Sequence, residues 1–190
     1  MMPKTEIAVF KTDHHEDFKN DHLTPMWIVA RSTSAAPTYL KGHEHEESGR
    51  IFIDGGVWAN NPVMVALVDA LTAYDLTPDQ IEIFSIGTGN APFELSRPGV
   101  FGGLLAWREV IKAAMFLTTD NATAQAKLLL GPGRCLRLEP EGADALIELD
   151  DYDGAFAQLP ALAQQDFAKN RDAIARFFAE TVLPREWHYS

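Results

Sequence analysis

A single cysteine, Cys135, is all the thiol this 190-residue chain carries, so no internal disulfide can staple it and the fold has to rest on its own core. Cys135 itself reads as a small apolar residue buried on a strand. Long apolar runs are missing too. None approaches the roughly 20 residues that span a bilayer, and Met1 to Glu6 offers no apolar stretch behind a basic start, so no secretory signal is visible. A soluble, cytoplasmic protein is the expectation. Positive charge is scarce: 16 lysines and arginines against 27 aspartates and glutamates leave a net charge of −11. That balance speaks against a nucleic-acid partner, which needs a basic stripe, and disfavours electrostatic docking on anionic membranes. The helical His-Glu-x-x-His spacing of a metal site is also absent. His14, His15, Glu16 and Asp17, and then His43, Glu44, His45, Glu46 and Glu47, are grouped along the chain without a geometry that holds an ion, so they read as solvated loops and no metal is expected. No serine stands in a Gly-x-Ser-x-Gly elbow. Ser85 comes nearest, with Gly87 after it but Ile83 where the first glycine belongs.

The residues that are present alternate between strand and helix patterns. A hydrophobic fraction of 46% is ordinary for a globular protein, and the length suits one domain over residues 1–190, burying about two thirds of its unfolded surface. Glu6 to Lys11 predicts a strand and residues 12–23 a mobile polar loop. Thr24-Pro25 predicts a cap and helix start, and the helix runs into small residues and stops at Pro37. Asn60-Asn61-Pro62 predicts the N-cap of a helix over about residues 63–73. Ile81 to Ile86 is a strand ending in Gly87-Thr88-Gly89. An apolar loop over residues 92–103 leads to a helix carrying Leu104, Trp107, Ile111, Met115 and Phe116, with a kink or new start at Asp120-Asn121 before residues 122–130. Such a loop and helix can serve as a lid or a transient membrane contact, but stripes of this kind ordinarily cover sheets. Cys135 to Leu138 is the last strand, and one or two amphipathic helices over 155–162 and 166–182 bury Phe167, Ile174, Phe177 and Phe178.

The informative stretch is Arg50-Ile51-Phe52-Ile53-Asp54-Gly55-Gly56-Val57-Trp58-Ala59-Asn60-Asn61-Pro62. Apolar strand residues run straight into Asp54, which would deliver its carboxylate to the carboxyl edge of a sheet, where open α/β sheets bind ligands. Gly55 and Gly56 then allow a sharp turn and a close approach. Asp-Gly is also a common hairpin turn, so a purely structural reading stands beside the functional one. Arg31, a lone charge among small residues, pairs with a carboxylate or binds an anionic headgroup, the ion pair being favoured.

Trp27-Ile28-Val29-Ala30-Arg31-Ser32-Thr33-Ser34-Ala35-Ala36-Pro37-Thr38-Tyr39-Leu40, then Phe52-Ile53-Asp54-Gly55-Gly56, Asn60-Asn61-Pro62 and Ser85-Ile86-Gly87-Thr88-Gly89, taken in this order, resemble the patatin-like phospholipase family. The resemblance covers roughly residues 7–89 and continues more faintly through Cys135-Leu136-Arg137-Leu138 and the last helix. It implies an α/β fold of three layers, a central mostly parallel sheet flanked by helices. It implies ester hydrolysis on lipid or other acyl-ester substrates by a serine–aspartate dyad, in which the aspartate takes the serine proton without a histidine. Asp54 matches that aspartate, and Gly55, Gly56, Asn60 and Asn61 match the residues that support its turn and the substrate. Dyad chemistry requires no bound cofactor.

The family's glycine-rich oxyanion loop and serine elbow normally precede the segment that begins here at Ile7, and neither is in this sequence. The chain therefore reads as an incomplete, C-terminal part of a patatin-like domain that lacks its N-terminal strands and exposes sheet edges. Three functions follow from this. The first is the aspartate-bearing portion of a lipid acyl hydrolase, completed by an N-terminal half. The second is a non-catalytic binding or regulatory module that associates with a partner or with itself through the open edge. The third is an enzyme using Ser32, Ser34 or Ser85, disfavoured because none has elbow geometry.

Overall fold

The computed structural model describes residues 6–37, 39–89, 104–140 and 147–179, and for residues 104–112 the backbone alone. The chain forms two compact units that divide between Gly56 and Val57.

In the first unit the expected strand at residues 6–11 does not form. A strand needs a neighbour for its row of N–H and C=O groups, and none of the described residues supplies one. The segment is held instead through side chains: Phe10 meets Phe52 with ring centroids 5.4 Å apart. The polar tract that follows is not the solvated loop its composition predicts. Asp13 and His14 are buried, Thr12 Oγ1 lies 2.7 Å from His14 Nδ1, and the His14 and Phe18 rings pack 5.0 Å apart. Phe18 explains the difference, since one aromatic ring gathers histidines and the Lys11 ammonium around it.

Helix α1 (Met26–Thr33) starts with Pro25 at its N-cap and has no side-chain capping bond. The Pro25 carbonyl takes the N–H groups of Ile28 and Val29. Strands β1 (His43–His45) and β2 (Arg50–Phe52) pair antiparallel, with His43 opposite Phe52. This corrects two expectations. His43 to His45 is a strand rather than a turn, and the strand leading into Asp54 belongs to a hairpin rather than a parallel sheet. The cause is a tight turn, in which the His45 carbonyl accepts from the N–H groups of Ser48 and Gly49 and brings the two short runs back to back.

The second unit is the layered α/β part. Helices α2 (Gly56–Ala59) and α3 (Val63–Ala73) lead to β3 (Ile83–Ile86), and α4 (Leu104–Leu130) crosses to β4 (Cys135–Leu138). The two strands pair parallel, Ile83 with Cys135 and Ser85 with Arg137. Side chains alternate across this ribbon. Ile83 and Cys135 join Val63, Leu67, Ile81, Ala126 and Leu130 in the core beneath α3 and α4. Phe84 points the other way, 5.8 Å from Phe177 and 5.5 Å from Phe178 at the end of α5 (Tyr152–Phe177). Helices thus cover both faces of a small parallel sheet, the α/β class expected. Burial pushes the Cys135 thiol up from its ordinary value. The core therefore holds the neutral thiol, and its contribution to stability is lost as pH rises beyond the value at which the unfolded thiol ionises.

Helix α4 runs 27 residues straight through Asp120-Asn121, so the expected break is absent. Aspartate and asparagine cost a helix interior only about 0.5 kcal/mol each relative to alanine, less than the packing of Ala126 and Leu130 returns. Helix α5 is one element, capped by the Asp151 carboxylate on Gly154 N–H at 2.9 Å and continuous through Pro160. The apolar loop 92–103 and the side chains of Leu104, Trp107 and Ile111 lie outside the described residues, as does the lid reading placed on them. No helix among the described residues is long and apolar enough to cross a membrane.

Candidate functional site

Asp54 follows β2 in the first unit, and its backbone is fixed before its side chain is considered. The Asp54 N–H donates to the Ala35 carbonyl at 3.0 Å, just past the end of α1. Ala35 is wholly buried, and the small residues around it let the two segments approach. One carboxylate oxygen, Oδ1, accepts the Gly56 N–H at 2.7 Å. That bond fixes the carboxylate's orientation and caps the first turn of α2. The other oxygen has no hydrogen-bond partner among the described residues. A half-buried carboxylate held by one oxygen and open at the other is suited to accept a proton from a hydroxyl brought to it.

Asn60 and Asn61 belong to the second unit, where they join α3 to the middle of α4. Asn61 is 5% exposed. Its Nδ2 donates to the Thr123 hydroxyl at 2.8 Å and the Thr119 carbonyl at 3.1 Å, while its Oδ1 accepts the Val63 N–H at 3.2 Å. The capping role expected of the Asn-Asn-Pro run is thus played by Asn61, with Pro62 occupying the cap position. Asn60 adds an exposed bond to the Thr119 hydroxyl at 3.2 Å. Asn61→Ala strands buried donors and acceptors on two helices and is expected to cost about 1–3 kcal/mol, against less than about 0.5 for Asn60→Ala. Urea unfolding of the two variants measures the contrast.

Comparison with known proteins adds an independent observation. The chain is 36% identical over 105 residues, half of its length, to the cGAMP-activated phospholipase of Escherichia coli (strain TW11681), covering 30% of that protein. It is 29% identical to the cGAMP-activated phospholipase of Vibrio cholerae serotype O1 over 89% of its own length and 54% of that protein's. Patatin-like protein 2 of Arabidopsis thaliana is 34% identical over half of the chain and 26% of its own length. The chain is thus similar in sequence to patatin-like phospholipases. It spans about half the length, or less, of the curated relatives it matches. No family model and no solved structure matches it.

The serines of the chain are placed as follows. Ser32 is 2% exposed and its hydroxyl has no partner among the described residues, so no substrate reaches it without opening α1. Ser34 is exposed at the end of that helix. The Ser85 hydroxyl accepts from Arg137 Nη1 at 2.7 Å, which engages it with a cation rather than a base. Arg31 donates Nη2 to the Lys41 carbonyl at 2.8 Å. It forms no ion pair among the described residues, which corrects the favoured sequence reading: the end of α1 lies beside backbone, not beside an acid. Among the described residues no three His, Cys, Asp or Glu side chains converge on a metal geometry.

Sequence reasoning gave Arg137 no role and took Glu139 for part of a solvated turn, which the structure corrects. Both are largely buried, at 13% and 15% side-chain exposure, and they form an ion pair at the end of β4. The signal was Arg137 itself, a charge inside an apolar strand that pairs with a strand ending in glycines.

Proposed function

We propose that this chain is one incomplete patatin-like domain carrying the general base of a serine–aspartate acyl hydrolase acting on phospholipid or other acyl-lipid esters. Asp54 is the base. The nucleophilic serine and the oxyanion donors lie outside these 190 residues. The observation that carries this is the Asp54 carboxylate, oriented through Oδ1 by the Gly56 N–H with the second oxygen unengaged among the described residues. In the reaction that oxygen takes the serine proton as the hydroxyl attacks the acyl carbonyl, and it returns the proton to the leaving alkoxide. Gly55 and Gly56 support the turn, and Asn60 and Asn61 anchor the helix that follows. The family relationship supports the lipid substrate class, and the proposed working location is the cytoplasm.

One observation favours a second reading, a binding module that associates through its sheet. Among the described residues β3 and β4 pair only with each other, which leaves an outer edge on each strand for a neighbour. An N-terminal half bearing the missing strands, or a second copy of the chain, fits such an edge.

The coding sequence upstream of the Met1 codon provides the test. An in-frame glycine-rich loop and Gly-x-Ser-x-Gly elbow, with ester hydrolysis by the extended chain and none by the 190-residue chain, is the expected result. Turnover of short-chain esters by the 190-residue chain, lost in Asp54→Asn, would overturn it and return the nucleophile to a serine within the sequence.

A further inference from the structure

The glycine turn after β3 holds a carboxylate. Gly89 has φ of 123°, a conformation open to glycine and strained for other residues, and its N–H donates to Glu139 Oε1 at 3.0 Å. Arg137 Nε donates to Glu139 Oε2 at 2.7 Å, and Nη2 pairs with the same oxygen. A Cβ on Gly87 would collide with the Glu139 carboxylate, so the absence of a side chain there makes the room that the carboxylate occupies. The third arm of the guanidinium, Nη1, donates to the Ser85 hydroxyl, leaving the Ser85 O–H free to donate in turn. A backbone N–H from a glycine turn, a guanidinium fork and a hydroxyl make a donor set for an oxyanion. It lies beyond the carboxyl ends of two parallel strands, the edge at which open α/β sheets take ligands.

We infer that the turn Gly87-Thr88-Gly89, with Arg137 and Ser85, is an oxyanion-binding site whose resident ligand is the Glu139 carboxylate, and that a phosphate or carboxylate group of a ligand binds there by displacing Glu139. The inference stands apart from Asp54 and its chemistry. Glu139 is tethered, and a tethered group competes as if present at about millimolar concentration or above. Wild-type protein therefore resists displacement by dilute anions, and removing the tethered carboxylate opens the seat.

The test is thermal melting of the full chain in inorganic phosphate and in acetate, with chloride at matched ionic strength as reference. Glu139→Ala is expected to melt below wild type and to recover saturably with phosphate or acetate. Half-saturation should come at a concentration at least about tenfold lower than any wild-type response. Adding Arg137→Gln to Glu139→Ala should abolish the recovery. Where Glu139→Ala does not fold, Glu139→Gln keeps an acceptor for the Gly89 N–H, and phosphorus-NMR line broadening reads phosphate binding directly. A response to phosphate alone assigns a tetrahedral ligand, and one to acetate alone a planar one. Glycerol phosphate binding more tightly than inorganic phosphate assigns a lipid-derived headgroup rather than the free ion. Equal responses of wild type and both Glu139 variants, recovery matched by chloride, or no saturable binding by a folded variant overturns the site.

Discussion

Asp54→Asn is expected to lower acyl-ester hydrolysis by the serine-complemented protein by about 10²- to 10⁴-fold, the range over which a positioned general base acts. The substitution is chosen for what it preserves. An asparagine carbonyl still accepts the Gly56 N–H that Asp54 Oδ1 accepts, and the Asp54 N–H still meets the Ala35 carbonyl. Only the other carboxylate oxygen, the proposed proton acceptor, is replaced. The loss should therefore fall on kcat, with KM little changed and stability within about 0.5 kcal/mol of wild type. Initial rates on a chromogenic ester, alongside a melting curve, separate this from the structural alternative that Asp-Gly composition allows. A turn aspartate would show the reverse pattern, with activity kept above a tenth of wild type.

Leu67→Ala should give the largest loss of stability, about 2–5 kcal/mol. Leu67 is 1% exposed and stands at the centre of the cluster formed by Val63, Ile81, Ala126, Leu130 and Cys135. These residues come from α3, from the segment before β3, from α4 and from β4, so a void at Leu67 loosens the packing of two helices on the sheet at once. Domains of this size are stable by only about 5–15 kcal/mol, and the substitution removes a large share of that. Denaturant titration followed by tryptophan fluorescence measures the midpoint. Leu67→Met, which conserves volume, is expected to cost less than about 1.5 kcal/mol.

Elements whose own periodicity and punctuation specify them were legible in the sequence. Helix α3 lies where Asn60-Asn61-Pro62 and its apolar stripe predict, and β3 and β4 sit on their predicted runs next to glycine turns. The Asp54 turn was legible as a motif. What the sequence did not reveal depends on partners distant along the chain. Residues 6–11 have strand composition and no strand beside them, the β1–β2 hairpin depends on a four-residue turn, and α4 passes Asp120-Asn121 because packing outweighs a weak local preference. The Glu139 seat was hidden for a related reason. An arginine and a glutamate two positions apart read as surface charge until the strand register sets Arg137 opposite Ser85.

The parallel pairing of β3 with β4 also sets how long a stretch of chain the second unit must bridge as it folds. Ser85 and Arg137 are 52 positions apart, and a parallel pair cannot be closed by a hairpin. The chain between them must first be shortened, which α4 does by winding 27 residues into a rod. Loop closure of that span costs entropy before any ladder bond forms. Asn61 and Thr123, which tie the start of α3 to α4, are 62 positions apart, so helix packing and strand pairing alike close long spans, the kind of contact that slows folding. The glycine turn and its carboxylate lie at the far end of that ladder and depend on its registry.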